Sequence, residues 1–300
     1  MPNFFFPCIG ITKGPLIEDT AASPPYLLKR KWETTTFDIA TLAAKHSLNF
    51  SWHLMDAFLS HVNYELVVMA GDRTQACEQA DLCQAMLYVD GASPFIMALV
   101  CTHSVNEYSG INSRDSISGG AKLPEELRVG LTSNDGKVEA WLHQPALACL
   151  TLPDGRIPDG GAAGAMNAAS LWPSLEKKQP RLKTARVALQ TAPMIMHRGS
   201  SLLHIWQGIE ALFPDVRTEL SFRLALLIAQ LAKDITPRRE TYQRSRKSYD
   251  QRSKAAHGGE LQNGPEAWVE GWNLLCLCMK AIMARGGLPD EQDLIGEALT

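Results

Sequence analysis

From Ser200 to the C-terminus, apolar residues return every three or four positions, in stripes punctuated by proline and glycine. That period is the helical one, and it restricts this third of the chain to packed helices with one buried face each. Ser200 or Ser201 can cap a helix carrying Leu202, Ile205, Ile209 and Leu212 on one face, with Pro214 beyond its end. Thr218 can cap a second, with Leu220, Leu224, Leu227, Ile228 and Leu231 inward. Pro237 suits the first position of a third helix. Trp268, Trp272, Leu275, Cys276 and Met279 form a fourth stripe that ends near Gly286-Gly287. Four helices joined by short loops predict an antiparallel bundle over residues 196–300.

The preceding chain has another character. Residues 152–180 hold Pro153, Pro158, Pro173 and Pro180, with Gly155, Gly160, Gly161 and Gly164, a composition typical of boundaries. We therefore read residues 152–195 as a Pro/Gly/Ala-rich linker and residues 1–151 as a mixed α/β domain of unknown role. The expected fold class is an α+β N-terminal domain followed by an all-α bundle. Residues 37–62 suit a helix, interrupted at Asn49 to Trp52. Ala85–Val89, Phe95–Thr102 and Val138–His143 read as strands, with a turn at Ser133-Asn-Asp-Gly136. The polar loop from Asn106 to Gly120 has no evident task.

Neither metal nor cofactor is expected. His46, His53 and His61 lie seven and eight apart with only Asp56 close by, which suits ordinary histidines better than ligands. The seven cysteines include no CxxC pair, and Cys276 and Cys278 sit in an apolar run as buried thiols. A disulfide framework is not expected, and a reducing cytoplasm fits. Phe4-Phe5-Phe6 is too short for a signal sequence, and no apolar run approaches the roughly 20 residues of a membrane span. The expectation is a soluble cytoplasmic protein without a membrane partner.

With a net charge of −3, contact with a polyanion requires a local patch. One exists inside the otherwise neutral bundle. Between Thr236 and Glu260 stand Arg238, Arg239, Arg244, Arg246, Lys247, Arg252 and Lys254 against Glu240, Asp250 and Glu260, a local charge of +4. Tyr242, Tyr249 and Ala256 recur seven apart, which suits two tyrosines packed inward. The patch ends in Tyr249-Asp-Gln-Arg252-Ser-Lys-Ala-Ala-His257-Gly-Gly259. Arginine offers a fixed fork of donors to phosphate, and histidine moves protons near neutral pH. Five positions leave the two side chains about 140° apart on an unbroken helix, so they cannot meet there at one phosphate. Two routes remain open: Gly258 and Gly259 end the helix and free His257, or a dimer brings two copies together. Arg198 and His204 satisfy a similar spacing outside the basic segment and serve as a decoy.

From Arg198 to Ala284 the chain resembles a HEPN domain, and within that superfamily the ApeA-like branch. The resemblance rests on Gly208-Ile-Glu-Ala-Leu-Phe213, on Leu220-Ser-Phe-Arg-Leu-Ala-Leu-Leu227 and on the segment from Tyr249 to Gly258, in that order. It implies a helical, dimeric, metal-independent endoribonuclease of the kind found in toxin, CRISPR and anti-phage systems. Its pattern of arginine, four to six residues, then histidine falls on Arg252 and His257, with the polar Ser253 directly after the arginine. Glu210 and Arg223 match charged positions, for which we expect a Glu210–Arg223 bridge or Glu210 orienting Arg252. Arg244, Arg246, Lys247 and Lys254 are the expected RNA contacts. RNA is the expected substrate, since DNA lacks the 2′-hydroxyl nucleophile. The resemblance equally covers members that bind RNA, nucleotides or partners without cleavage. A metabolic accessory protein whose N-terminal domain does the work is a third reading.

Overall fold

The computed structural model describes residues 1–11, 23–29, 61–97, 99–104, 155, 157 and 162–299, together with the backbone of residues 138–140. His46, His53, Cys149, the loop 106–120, the turn 133–136 and nearly all of the helix expected over 37–62 lie outside them. Two compact units emerge. The first comprises Met1–Ala80, Phe95–Pro145 and Asp159–Ala163, and the second Asp81–Pro94, Ala146–Pro158 and Gly164–Thr300. Among the described residues, no helix is long and apolar enough to cross a membrane.

The first unit is an antiparallel sheet. Its strands are β1 (Asn3–Ile9), β2 (Tyr26–Lys29), β3 (Val62–Met69), β4 (Ile96–Met97), β5 (Leu99–Cys101) and β6 (Val138–Ala140). The order is β2-β3-β1-β5-β6, with β4 also pairing β1. Phe4, Phe6 and Cys8 alternate into the core, so the phenylalanine run is a strand with one fully buried face. Pro7 lies in this central strand opposite Glu65, where it donates nothing to the ladder. Glu65 is fully buried and accepts from Ser104 Oγ at 2.8 Å. Strand character at Ile96–Met97, Leu99–Cys101 and Val138–Ala140 agrees with the sequence reading.

Ala85–Val89 does not. It is the C-terminal end of α1 (Arg73–Val89), within which the boundary between units falls. Ala85 through Val89 are all buried, and a short apolar run buried on every side carries no period to separate helix from strand.

The second unit is helical and begins earlier than expected. Within the supposed linker 152–195 lie α2 (Ala163–Lys178) and α3 (Arg181–Thr191). Trp172, Leu182, Ala185 and Leu189 are buried there. Glu176 joins the two helices, accepting from Trp172 Nε1 and Arg186 Nε at 2.6 Å each. Ala165 and Ala169, small residues of the kind that mimic a linker, are buried, and Pro173 sits inside α2. Helix α3 packs on two of the later helices, so the compact helical unit extends to the N-terminal side of residue 196.

Those helices are α4 (Arg198–Glu210), α5 (Leu220–Leu231), α6 (Arg238–Ala256), α7 (Gly264–Arg285) and α8 (Glu291–Leu299). The first four match the four expected helices, but Leu220, expected inward, is exposed at the start of α5, and the caps differ. His197 caps α4, its Nδ1 accepting the Ser200 N–H at 3.2 Å, so Ser200 and Ser201 lie inside the helix. Glu219, at φ 50°, precedes α5 in place of Thr218. Pro237 stands just outside α6, and Gly286 closes α7 at φ 71°. The core gathers tryptophans. Trp268 stacks on Trp272 at 5.0 Å between centroids and donates to Ser201 Oγ, while Trp206 donates to Ser248 Oγ. Cys278 is fully buried here, which pushes its thiol up to about 12, and Cys276 Sγ contacts the Tyr88 carbonyl.

Helix α8 had no counterpart in the sequence reading. Glu297 on it receives Lys233 Nζ at 2.8 Å, Arg285 Nη1 at 3.1 Å and Gln230 Nε2 at 3.1 Å. The hydrogen bonds from Lys233, Arg285 and Gln230 hold its carboxyl down to about 2. A depressed folded-state value means stabilisation present above the ordinary carboxylate range and lost as pH falls toward about 2. Thermal unfolding should show wild type more stable than Glu297→Gln at pH 6, with the difference shrinking at pH 3 and below. A difference independent of pH would remove the ion cluster from the account of α8 docking.

Candidate functional site

Helix α6 has a basic, solvated side and a buried side, and its two ends are built differently. At the C-terminal end the Gly259 N–H donates to the Lys254 carbonyl at 2.9 Å and the Gly258 N–H to Ala255 at 3.2 Å. Gly258 is left-handed at φ 75°. This is the Schellman closure that a glycine pair favours, and it makes His257 the last, half-helical residue. His257 is exposed, with its N–H shared between the Ser253 and Lys254 carbonyls. The expectation that the glycines end the helix at His257 holds.

Arg252 takes the other direction. Side chains on a helix lean toward its N-terminus, and the Arg252 guanidinium carbon lies 5.3 Å from the Tyr249 ring centre. Its Nη2 reaches both oxygens of Glu210, at 2.9 and 3.1 Å, from the end of α4. Tyr249 in turn meets Trp206 edge-on at 5.1 Å. Burial pushes the Tyr249 phenol up, with Arg252 opposing the shift and Glu210 adding to it. Between the expected partners, Glu210 thus pairs with Arg252 and not with Arg223. Arg223 is half-buried on α5 without an ion pair among the described residues.

The consequence for the site is geometric. Tyr249 and His257 are separated by about 12 Å of helix axis at 1.5 Å per residue. A guanidinium folded back over Tyr249 points away from an imidazole at the C-cap. Within one chain, Arg252 and His257 do not converge. Ser253 sits half-buried between them and contributes its carbonyl to the His257 N–H.

The expected RNA contacts separate into two groups. Arg244 faces α7, where its Nε donates to Glu270 at 2.7 Å, with Glu240 at 3.7 Å. Its charge is thus paired with carboxylates of its own chain at a partly exposed position. Lys247 and Lys254 are exposed, and Arg246 is half-buried with its Nη1 on the Tyr242 hydroxyl at 3.2 Å. None of these three has an acidic partner among the described residues. Tyr249 packs inward as expected, Tyr242 only partly, and Ala256 is exposed, so the line of sevens is not buried along its length. Of the decoy pair, Arg198 is the first residue of α4, and His204 is hydrogen-bonded with Thr191 Oγ1 at 2.7 Å.

Phe222 was missed in the sequence. It is 46% exposed on α5 and meets Tyr242 edge-on at 6.2 Å. Its position off the buried stripe of Leu224, Leu227 and Leu231 was the available signal, because an aromatic there faces outward.

No family model matches the chain, and neither curated proteins nor solved structures yield a match to it.

The closure of α6 is directly testable. An added Cβ at Gly258 meets nothing within 4 Å, so only its left-handed backbone opposes substitution. Gly258→Ala should cost about 1 kcal/mol in urea unfolding, and Gly258→Asn less. Equal stability of all three proteins would contradict a left-handed closure after His257.

Proposed function

We propose that this chain is a metal-independent endoribonuclease of the HEPN type, acting as a dimer in the cytoplasm as a toxin or anti-phage effector. The observation that supports this most is the design of the α6 end: an exposed histidine at a closed helix terminus, with an arginine five positions earlier held by Glu210 and Tyr249. Because the two groups diverge within one chain, the active site is assembled from two copies. The 2′-hydroxyl of RNA attacks the adjacent phosphorus and the bond to the 5′ oxygen breaks, leaving a 2′,3′-cyclic phosphate and a 5′-hydroxyl. His257 accepts the 2′-hydroxyl proton, and the partner subunit's His257, in its protonated form, donates one to the departing oxygen. Arg252 stabilises charge developing on the phosphoryl oxygens, with Glu210 as its positioning residue.

A second reading has its own support. The Arg252 charge is already met by Glu210 in the same chain, as expected of a structural residue in a non-catalytic module that binds RNA, a nucleotide or a protein partner. Cleavage assays separate the two. His257→Ala and Arg252→Ala should each lower RNA cleavage by roughly 10²- to 10⁴-fold without loss of fold. Activity should survive EDTA and stop on 2′-O-methylated RNA, while Arg198→Ala retains most of it. Wild-type protein that binds RNA and leaves it intact would favour the binding module. Undiminished cleavage by His257→Ala would place the chemistry elsewhere.

A further inference from the structure

We infer that Phe222, Tyr242 and Arg246 form a single-stranded RNA subsite in which one base stacks on Phe222 and the neighbouring phosphate is held by Arg246. The inference rests on RNA being the ligand and adds a site separate from Arg252 and His257.

Three observations carry it. The first is the ring. Phe222 is nearly half exposed, yet it is not loose, because Tyr242 supports it edge-on at an interplanar angle of 80°. A held aromatic surface open to solvent is what a base stacks on, whatever its identity. The second is the charge. Arg246 is half-buried, its Nη1 is fixed on the Tyr242 hydroxyl, and its Nε is buried without a hydrogen-bond partner. A half-buried guanidinium with no carboxylate partner keeps its charge available to an incoming anion at its outer nitrogens. By contrast, Arg244, Arg252 and Arg285 all have carboxylate partners. The third is placement. Arg239, Tyr242 and Arg246 fall three and four apart on one side of α6, and Arg223 follows Phe222 on α5. Neither Arg223 nor Arg239 has an ion pair among the described residues.

An exposed aromatic alone would suit an apolar protein partner. Cations without counter-ions beside it favour a ligand that is flat and apolar at one point and anionic at the next, which describes a nucleotide. A single strand is required, since duplex bases have no free face to offer.

The test uses the full-length protein and short fluorescent 2′-O-methylated oligoadenylate, which it should bind without cleaving, beside an abasic oligomer of equal length. Phe222→Ala should weaken oligoadenylate binding about tenfold and leave the abasic oligomer unaffected, while Phe222→Trp restores affinity. Arg246→Gln should weaken both and lower the salt slope by about one. If wild type binds RNA and Phe222→Ala binds it equally well, the subsite is overturned while the wider reading stands. If Phe222→Ala keeps full RNA affinity and changes from dimer to monomer in sedimentation, the face belongs to a second copy and the inference also falls. Wild type that binds neither oligomer nor natural RNA at low salt overturns both.

Discussion

The close approach of α4 to its neighbours is the contact on which the helical unit depends. An added Cβ at Gly208 would lie 2.6 Å from the Ala188 Cβ, and one at Gly271 would lie 2.5 Å from a Leu202 methyl. Helices α3 and α7 therefore reach α4 only because glycine stands at both crossings. The approach of α7 brings Trp268 to Ser201, and Trp206 on α4 reaches Ser248 on α6, so two large buried side chains satisfy their N–H groups inside the core. The same helix delivers Glu210 to Arg252. The geometry around the candidate site is in this sense a by-product of how α4 is packed.

The charges of α6 are sorted by the face on which they fall. Arg244, turned toward α7, meets Glu270, and Arg252, turned back toward α4, meets Glu210. Both are accounted for within the fold. Arg246, Lys247 and Lys254 are left to solvent or to a ligand. A local charge of +4 in the sequence thus overstates the charge presented outward along some directions of the helix and concentrates it along others. Arginines paired within the fold and arginines without a carboxylate thus stand on one element.

Much of the helical unit was legible because its period is strong. Apart from Leu220, which is exposed, the stripes of α4, α5 and α7 identify residues that are buried, from Leu202 to Met279, and the glycine pair marks the end of α6. Caps were less legible. Ser200 and Thr218 are good cap types, but His197 and Glu219 occupy those positions because the preceding chain arrives there. The stretch 163–191 was misread because alanine and glycine belong equally to linkers and to closely packed helices, and composition does not tell which.

By itself, the sequence determined where α6 ends, since a left-handed residue after His257 needs little more than glycine and local hydrogen bonds. It determined the helical period and the local excess of positive charge, both properties of neighbours along the chain. Only the tertiary structure decided which arginine meets which carboxylate. Glu210 lies 42 positions from Arg252 and 13 from Arg223, and no local rule prefers the distant partner. That choice follows from the crossing of α4 and α6 and from Tyr249 holding the Arg252 chain along its ring. The divergence of Arg252 from His257 follows from the same long-range contact.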